Sequence, residues 1–210
     1  FIEKKISLVD IVLSMNFRTM IPIGFINKFK FGVLNSHAGD LPKYIGNATT
    51  AWSILQKEKK ITVSIHKMNE KLDEGFVIIK KSKRINQHTY ITEIYKWFET
   101  VVPKMFLNAI NIIYENPKLL IKNQFIKKVE CYPRRDLDSK INWQSNVEDI
   151  LLLIRASSRP FEGAITTLEG KDKVRIFRAR KFKSKFKILS IPGQVINHNN
   201  QIVISCKNGY

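Results

Sequence analysis

Phe31-Gly32-Val33-Leu34 is an apolar run that passes directly into Asn35-Ser36-His37, and then into a loop marked by Pro42 and Gly46. Such a run reads as a short buried strand whose polar residues begin where the sheet ends. A second apolar run over residues 9–15 reads as another strand of the buried parallel type, followed by a loop over residues 16–22 at the same sheet edge. Two such strands commit the chain to an α/β fold, the class that binds ligands at the carboxyl ends of its strands. Asn35 and His37 are two residues apart, so strand alternation sends both side chains to one face at that edge.

Asp73, in Leu72-Asp73-Glu74-Gly75, completes the set. An Asn side chain supplies an N–H that can be aimed at charge developing on a carbonyl oxygen. A His carries a proton near neutral pH, and a neighbouring carboxylate favours and orients its charged form. Without a nucleophilic Ser or Cys among them, these groups suit direct transfer of an acyl group to an amine or hydroxyl better than a route through an acyl-enzyme. Each residue alone has an ordinary explanation: a strand-end amide, a loop histidine, a turn-capping aspartate. The three together do not.

The remaining pattern organises the chain. Residues 48–58 read as a helix with Asn47 at its N-cap. Residues 61–67 and 76–81 are strands flanking the Asp73 turn, and 89–116 is a long helical region interrupted or restarted near Pro103. Polar residues 123–142, with Pro133-Arg134-Arg135-Asp136, read as a linker. An amphipathic helix over 147–157 follows, with Val147, Ile150, Leu151 and Ile154 at helical spacing. Short strands are then expected over 163–168, 173–179, 194–196 and 201–206, turning at Gly170-Lys171-Asp172 and at Asn197-His198-Asn199-Asn200. The domains expected are therefore 1–122 (catalytic), 123–142 (linker) and 143–210 (a helix with a small β module).

The net charge of +18 argues for a polyanion. However, the cations are scattered, and the densest group, residues 178–187, alternates cations with apolar residues as the solvated face of an edge strand does. Phe177, Phe182 and Phe186 read as packing residues rather than base-stacking platforms. Cys131 and Cys206 lie far apart with no metal spacing, which suits a reducing cytoplasm and no metal site. No run of eighteen apolar residues predicts a membrane span, and the start carries neither Met nor a signal-peptide pattern.

Three ordered segments resemble the formyltransferases that use N10-formyltetrahydrofolate. The first is Asn35-x-His37 running into Leu41-Pro42-Lys43-Tyr44-Ile45-Gly46. The second is Thr62-Val63-Ser64-Ile65-His66-Lys67-Met68 leading to Leu72-Asp73-Glu74-Gly75. The third is Ile141-Asn142-Trp143 with Ile154-Arg155-Ala156 and Arg159-Pro160-Phe161-Glu162-Gly163-Ala164. The resemblance implies a Rossmann-like parallel-sheet catalytic domain, whose first elements are missing from this chain, followed by an OB-like β module. It also implies N10-formyltetrahydrofolate as co-substrate, Asn35, His37 and Asp73 as catalytic residues, and Asn16, Phe17, Leu72 and Asp73 against the folate. Lys43, Asn47 and Arg159 are implied at the acceptor.

Gly39-Asp40-Leu41-Pro42 is closest to the branch that formylates nucleotide-linked amino-dideoxy sugars for surface polysaccharides, resembling the dTDP-4-amino-4,6-dideoxyglucose N-formyltransferases. The methionyl-tRNA branch usually shows Ser-Leu-Leu-Pro there, and Arg where this chain has Ile45. A nucleotide-linked amino sugar and folate are thus the expected partners, with nucleic acid disfavoured, no membrane, and a homodimer compatible with the family. His66, which the family shares, reads as structural, Tyr44 and Trp52 as packing, and His88 and His198 as turn residues. Two alternatives stand beside this reading: tRNA formylation, favoured by charge, and a non-catalytic polyanion-binding module on a degenerate core, disfavoured by the intact triad.

Overall fold

Four strands make the sheet that carries Asn35 and His37: β1 (Val12–Met15), β2 (Val33–His37), β4 (Lys60–Lys67) and β5 (Val77–Arg84), in the order β1-β2-β4-β5. The computed structural model describes residues 8–116, 128–198 and 200–210. They form two compact units: one runs to Thr50 and includes Lys59–Ile85 and Ile94–Pro133, and the other holds Ala51–Glu58, Asn86–Glu93 and Arg134–Tyr210.

In the first unit, β1 and β2 pair in parallel, with Ser14 opposite Asn35. The sheet is not parallel throughout. β2 pairs antiparallel with β4, and β4 with β5, so the described sheet is mixed. The physical reason for the second reversal is length: the nine residues between β4 and β5 form a hairpin turn, too short for a parallel crossover. The β4/β5 register breaks between Ile65 and His66, where β5 carries one extra residue.

β4 lies between two neighbours and is buried on both faces. Its apolar face is Ile61, Val63 and Ile65, and its other face is Thr62, Ser64 and His66, none more than 4% exposed. Buried polar groups must find partners. Thr62 Oγ1 and Ser82 Oγ lie 2.9 Å apart. Ser64 Oγ donates to the Gly39 carbonyl at 2.7 Å and accepts the Leu41 N–H at 3.2 Å, tying the loop after β2 to the sheet.

A short helix, α1 (Ile23–Ile26), packs Ile26 with Phe29 and Val33. α2 (Thr49–Leu55) begins where the Thr49 and Thr50 hydroxyls both donate to the Ala38 carbonyl. α3 (Ile91–Glu115) runs unbroken through Pro103, correcting the expected interruption. Pro103 and Glu99 are both exposed, so the carbonyl left without its helical N–H faces solvent rather than the core. The opposite face buries Ile94, Phe98, Val101, Val102, Met105, Phe106, Ala109 and Ile113. Part of the expected linker is also ordered into the sheet structure. β6 (Val129–Cys131) pairs in parallel with β3 (Tyr44–Gly46), and Asp136–Ser139 form a 3-10 turn. Residues 123–127 of that expected linker lie outside the described residues.

The second unit contains α4 (Val147–Ser157) and two antiparallel hairpins, β7 (Ala164–Leu168) with β8 (Asp172–Ile176) and β9 (Val195–His198) with β10 (Gln201–Ile204). Ile141, Ile150, Ile154 and Ala164 form its core, with Trp143 and Ile176 packed against them. Arg155, 8% exposed, donates from Nη1 to the carbonyls of Asn86 and Thr89, and its burial lowers its pKa. Three expectations change here. The strand expected over 173–179 stops at Ile176, and His198 lies in β9 rather than in a turn. Residues 178–187 form no strand, and among the described residues no strand pairs with them. Phe182 N–H donates to the Tyr210 carbonyl, and Phe186 is 80% exposed instead of packed.

Candidate active site

The antiparallel pairing of β2 and β4 puts Asn35 opposite His66 and His37 opposite Ser64. Cross-strand partners share a face, so Asn35, His37, Ser64 and His66 form one polar patch at the end of β2. Ser14, opposite Asn35 on β1, adds a hydroxyl that is buried without a hydrogen-bond partner among the described residues.

Asp73 joins this patch from the β4/β5 turn. It takes a left-handed φ of 53°, which Asp tolerates better than most residues, and is 8% exposed. The turn folds back tightly at Gly75, where a Cβ would stand 1.6 Å from the Lys67 carbonyl oxygen. Beside it, Glu74 pairs with Lys128 at 2.7 Å, and the hydrogen bond from Lys128 lowers the Glu74 pKa.

The Asp73 carboxylate has two ends with different work. Oδ2 accepts the Gly46 N–H at 2.9 Å and lies 3.4 Å from His37 Nδ1. Oδ1 has as its nearest ionisable neighbour His66 Nε2, at 3.8 Å. On the other side of His37, Nε2 lies 2.8 Å from the Tyr44 carbonyl. Both nitrogens of His37 therefore face protein oxygens, a carbonyl and a carboxylate. Gly39 makes room for this, since a Cβ there would sit 2.5 Å from His37 Nε2.

The structure thus brings Asn35, His37 and Asp73 around one point, and adds His66. Asn35 Nδ2 lies 3.1 Å from His66 Nε2. Burial pushes the His66 pKa down to about 4, with Asp73 opposing the shift and His37 adding to it. Sequence reading set His66 aside as structural. The available signal was register, because a residue opposite Asn35 on a neighbouring strand must share its face.

The other expected site residues separate into groups. Asn16, exposed with φ 54°, directly follows β1, so it leaves the sheet beside the end of β2. Phe17 is 63% exposed and Leu72 45% exposed, apolar side chains left open to solvent at the sheet edge and at the Asp73 turn. The Lys43 ammonium stands 4.8 Å from the Tyr44 ring centre. Asn47 is exposed, and its backbone N–H donates to the Cys131 carbonyl. Arg159 belongs to the second unit, where its guanidinium covers the Phe177 ring at 4.3 Å and its carbonyl accepts from the Thr92 hydroxyl. Among the described residues no group of His, Cys, Asp and Glu is arranged to hold a metal ion, and no helix is long and apolar enough to cross a membrane.

An amide donor, two imidazoles and a carboxylate at a parallel strand's end, with Ser64 committed to the neighbouring loop, form a site equipped for direct group transfer. The chain belongs to the formyl transferase family: its formyl transferase domain matches residues 4–110, and its C-terminal domain matches residues 135–210. The chain is 28% identical over 206 residues to the bifunctional polymyxin resistance protein ArnA of Wigglesworthia glossinidia brevipalpis, covering 94% of this chain and 30% of that protein. It is 31% identical over 215 residues to the methionyl-tRNA formyltransferase of Prochlorococcus marinus, covering 94% of this chain and 65% of that protein. Its fold matches, with a TM-score of 0.71 and 21% identity over 94% of this chain and 70% of the other, an N-formyltransferase from Helicobacter canadensis solved with folinic acid and dTDP-3-aminofucose. The chain therefore spans less than two thirds of the curated relatives it matches.

Proposed function

We propose that this chain transfers a formyl group from N10-formyltetrahydrofolate to the amine of a nucleotide-linked amino-dideoxy sugar, a step in building surface polysaccharide. The observation that carries the reading is the convergence of Asn35, His37 and Asp73 on one buried patch in a chain of the formyl transferase family. Asn35 donates an N–H to the formyl oxygen as the unprotonated amine attacks the formyl carbon and the carbon becomes tetrahedral. The new C–N bond forms, the bond to folate N10 breaks, and the proton leaving the amine ends on N10. Asp73 Oδ1, the end of the carboxylate not held by Gly46, takes that proton directly or through a water. His37, held at both nitrogens, fixes Asp73 in place. The folate lies along Asn16, Phe17, Leu72 and Asp73, and the sugar nucleotide meets Lys43 and Asn47.

The loop supports this acceptor. Ile45, where the tRNA branch usually has Arg, is paired in register with exposed Glu130, so this position offers no cation to a polynucleotide. A second reading, methionyl-tRNA formylation, is favoured by the net charge of +18 and by the methionyl-tRNA formyltransferases among the curated relatives. The test is mass spectrometry of products from N10-formyltetrahydrofolate with dTDP-4-amino-4,6-dideoxyglucose, dTDP-3-aminofucose and methionyl-tRNA. A formyl mass gained on a sugar nucleotide supports the first reading, and gain on the tRNA alone, with affinity falling steeply in salt, supports the second. Asn35→Ala should lower kcat about 10²–10³-fold, as loss of an oxyanion donor does. Unchanged turnover in that variant would remove the mechanism.

A further inference from the structure

His66 touches the key amide of this site, yet the chemistry above gives it no task. The residue is 1% exposed, and the β2/β4 register sets it opposite Asn35. Nε2 lies 3.1 Å from Asn35 Nδ2, whereas Asp73 Oδ1, at 3.8 Å, is beyond hydrogen-bond reach. Nδ1 is buried with no hydrogen-bond partner among the described residues, and the Lys67 backbone favours a proton on the ring. Burial outweighs Asp73 and keeps the ring neutral above a pKa of about 4, with His37 as the other ionisable neighbour. A neutral ring has one proton to place. Placed on Nδ1, it leaves the Nε2 lone pair for Asn35. Placed on Nε2, it would set donor against donor across 3.1 Å.

We propose that His66 is a positioning residue for formyl transfer: its neutral imidazole accepts one N–H of Asn35 at Nε2 and so fixes which way that carboxamide faces. The second N–H of Asn35 then remains for the formyl oxygen, and Oδ1 remains for the attacking amine. A carboxamide without this anchor turns over about its last torsion, and each turn sets an oxygen against the developing negative charge. The inference rests on Asn35 being the oxyanion donor, as read above, but the His66–Asn35 contact is measurable without turnover.

Two measurements on the full chain decide it. In ¹⁵N-edited spectra at pH 7, His66 should show a protonated Nδ1 and an acceptor-type Nε2, and the Nε2 signal should move in Asn35→Ala. A proton on Nε2 overturns the proposal whatever the enzyme turns over. In steady-state kinetics with N10-formyltetrahydrofolate and the acceptor of the panel that reacts, His66→Leu should lose about 10- to 100-fold in kcat with KM little changed, as expected for a displaced catalytic group. His66→Gln, which places an acceptor oxygen near the same point, should recover most of that loss. Equal losses in the two folded variants mean a packing role and refute positioning. No formyl transfer by the wild type refutes the functional reading instead, while the tautomer still decides the contact. If His66→Leu fails to fold, His66→Gln against wild type and the spectra carry the decision.

Discussion

Acidification should destabilise this chain through a single buried ring, and the size of the effect follows from where that ring sits. His66 has a pKa of about 4 in the folded chain against 6.5 in an exposed one. Because the folded value is depressed, the unfolded state binds the proton first as pH falls. The neutral ring's contribution is complete above about pH 6.5 and disappears as pH drops toward 4. A difference of about 2.5 pH units at 1.36 kcal/mol each gives about 3 kcal/mol, a large share of the stability of a domain this size. The assay is urea unfolding, followed by circular dichroism, of wild type and His66→Gln at half-unit steps from pH 7 to pH 4. Carboxylates titrate in both proteins and cancel in the difference, which should close by about 3 kcal/mol in favour of the variant as pH falls. A difference that stays flat across this range would refute the claim that the ring is buried and uncharged.

Asp73→Asn should push the His66 pKa lower still, because the carboxylate is the main influence raising it, and an NMR titration of the ring reads this directly. The same change should abolish formyl transfer, since no carboxylate remains to take the amine proton; retained turnover would exclude Asp73 as acceptor. Gly75→Ala should cost about 1–3 kcal/mol in urea unfolding, the usual range for forcing a group into a filled space. Because the added Cβ meets a backbone oxygen at 1.6 Å, the turn must move and Asp73 with it, so kcat should fall as well. A variant with wild-type stability and rate would show that the turn is not held at this position.

The grouping of Asn35, His37 and Asp73 was legible because short, nearly contiguous runs carry it: a strand end supplies Asn35 and His37, and a turn before a glycine supplies Asp73. His66 was not, because its role depends on pairing. Only once β2 and β4 are known to run antiparallel does a residue 31 positions away become the neighbour of Asn35. The long helix was visible as a periodic stripe, yet Pro103 misled, since whether a proline breaks a helix depends on which side faces water. The alternation over 178–187 suggests an edge strand, but the pattern does not say whether another strand will lie beside it. β6 escaped notice because three residues among prolines and charges carry little signal, and its pairing with β3 is long-range.

The loop that follows β2 is stitched to the reactive patch almost wholly through main-chain atoms. Ser64 grips the peptide groups of Gly39 and Leu41, His37 leans on the carbonyl of Tyr44, and Asp73 holds the amide of Gly46. Fastened in this way, the segment can exchange the side chains of Asp40, Lys43 and Ile45 without loosening a single one of these anchor points. A lineage, or an engineer, can therefore change these side chains while the anchors beneath stay in place. A graft that lengthens the segment by one residue would instead shift every anchor and silence the site.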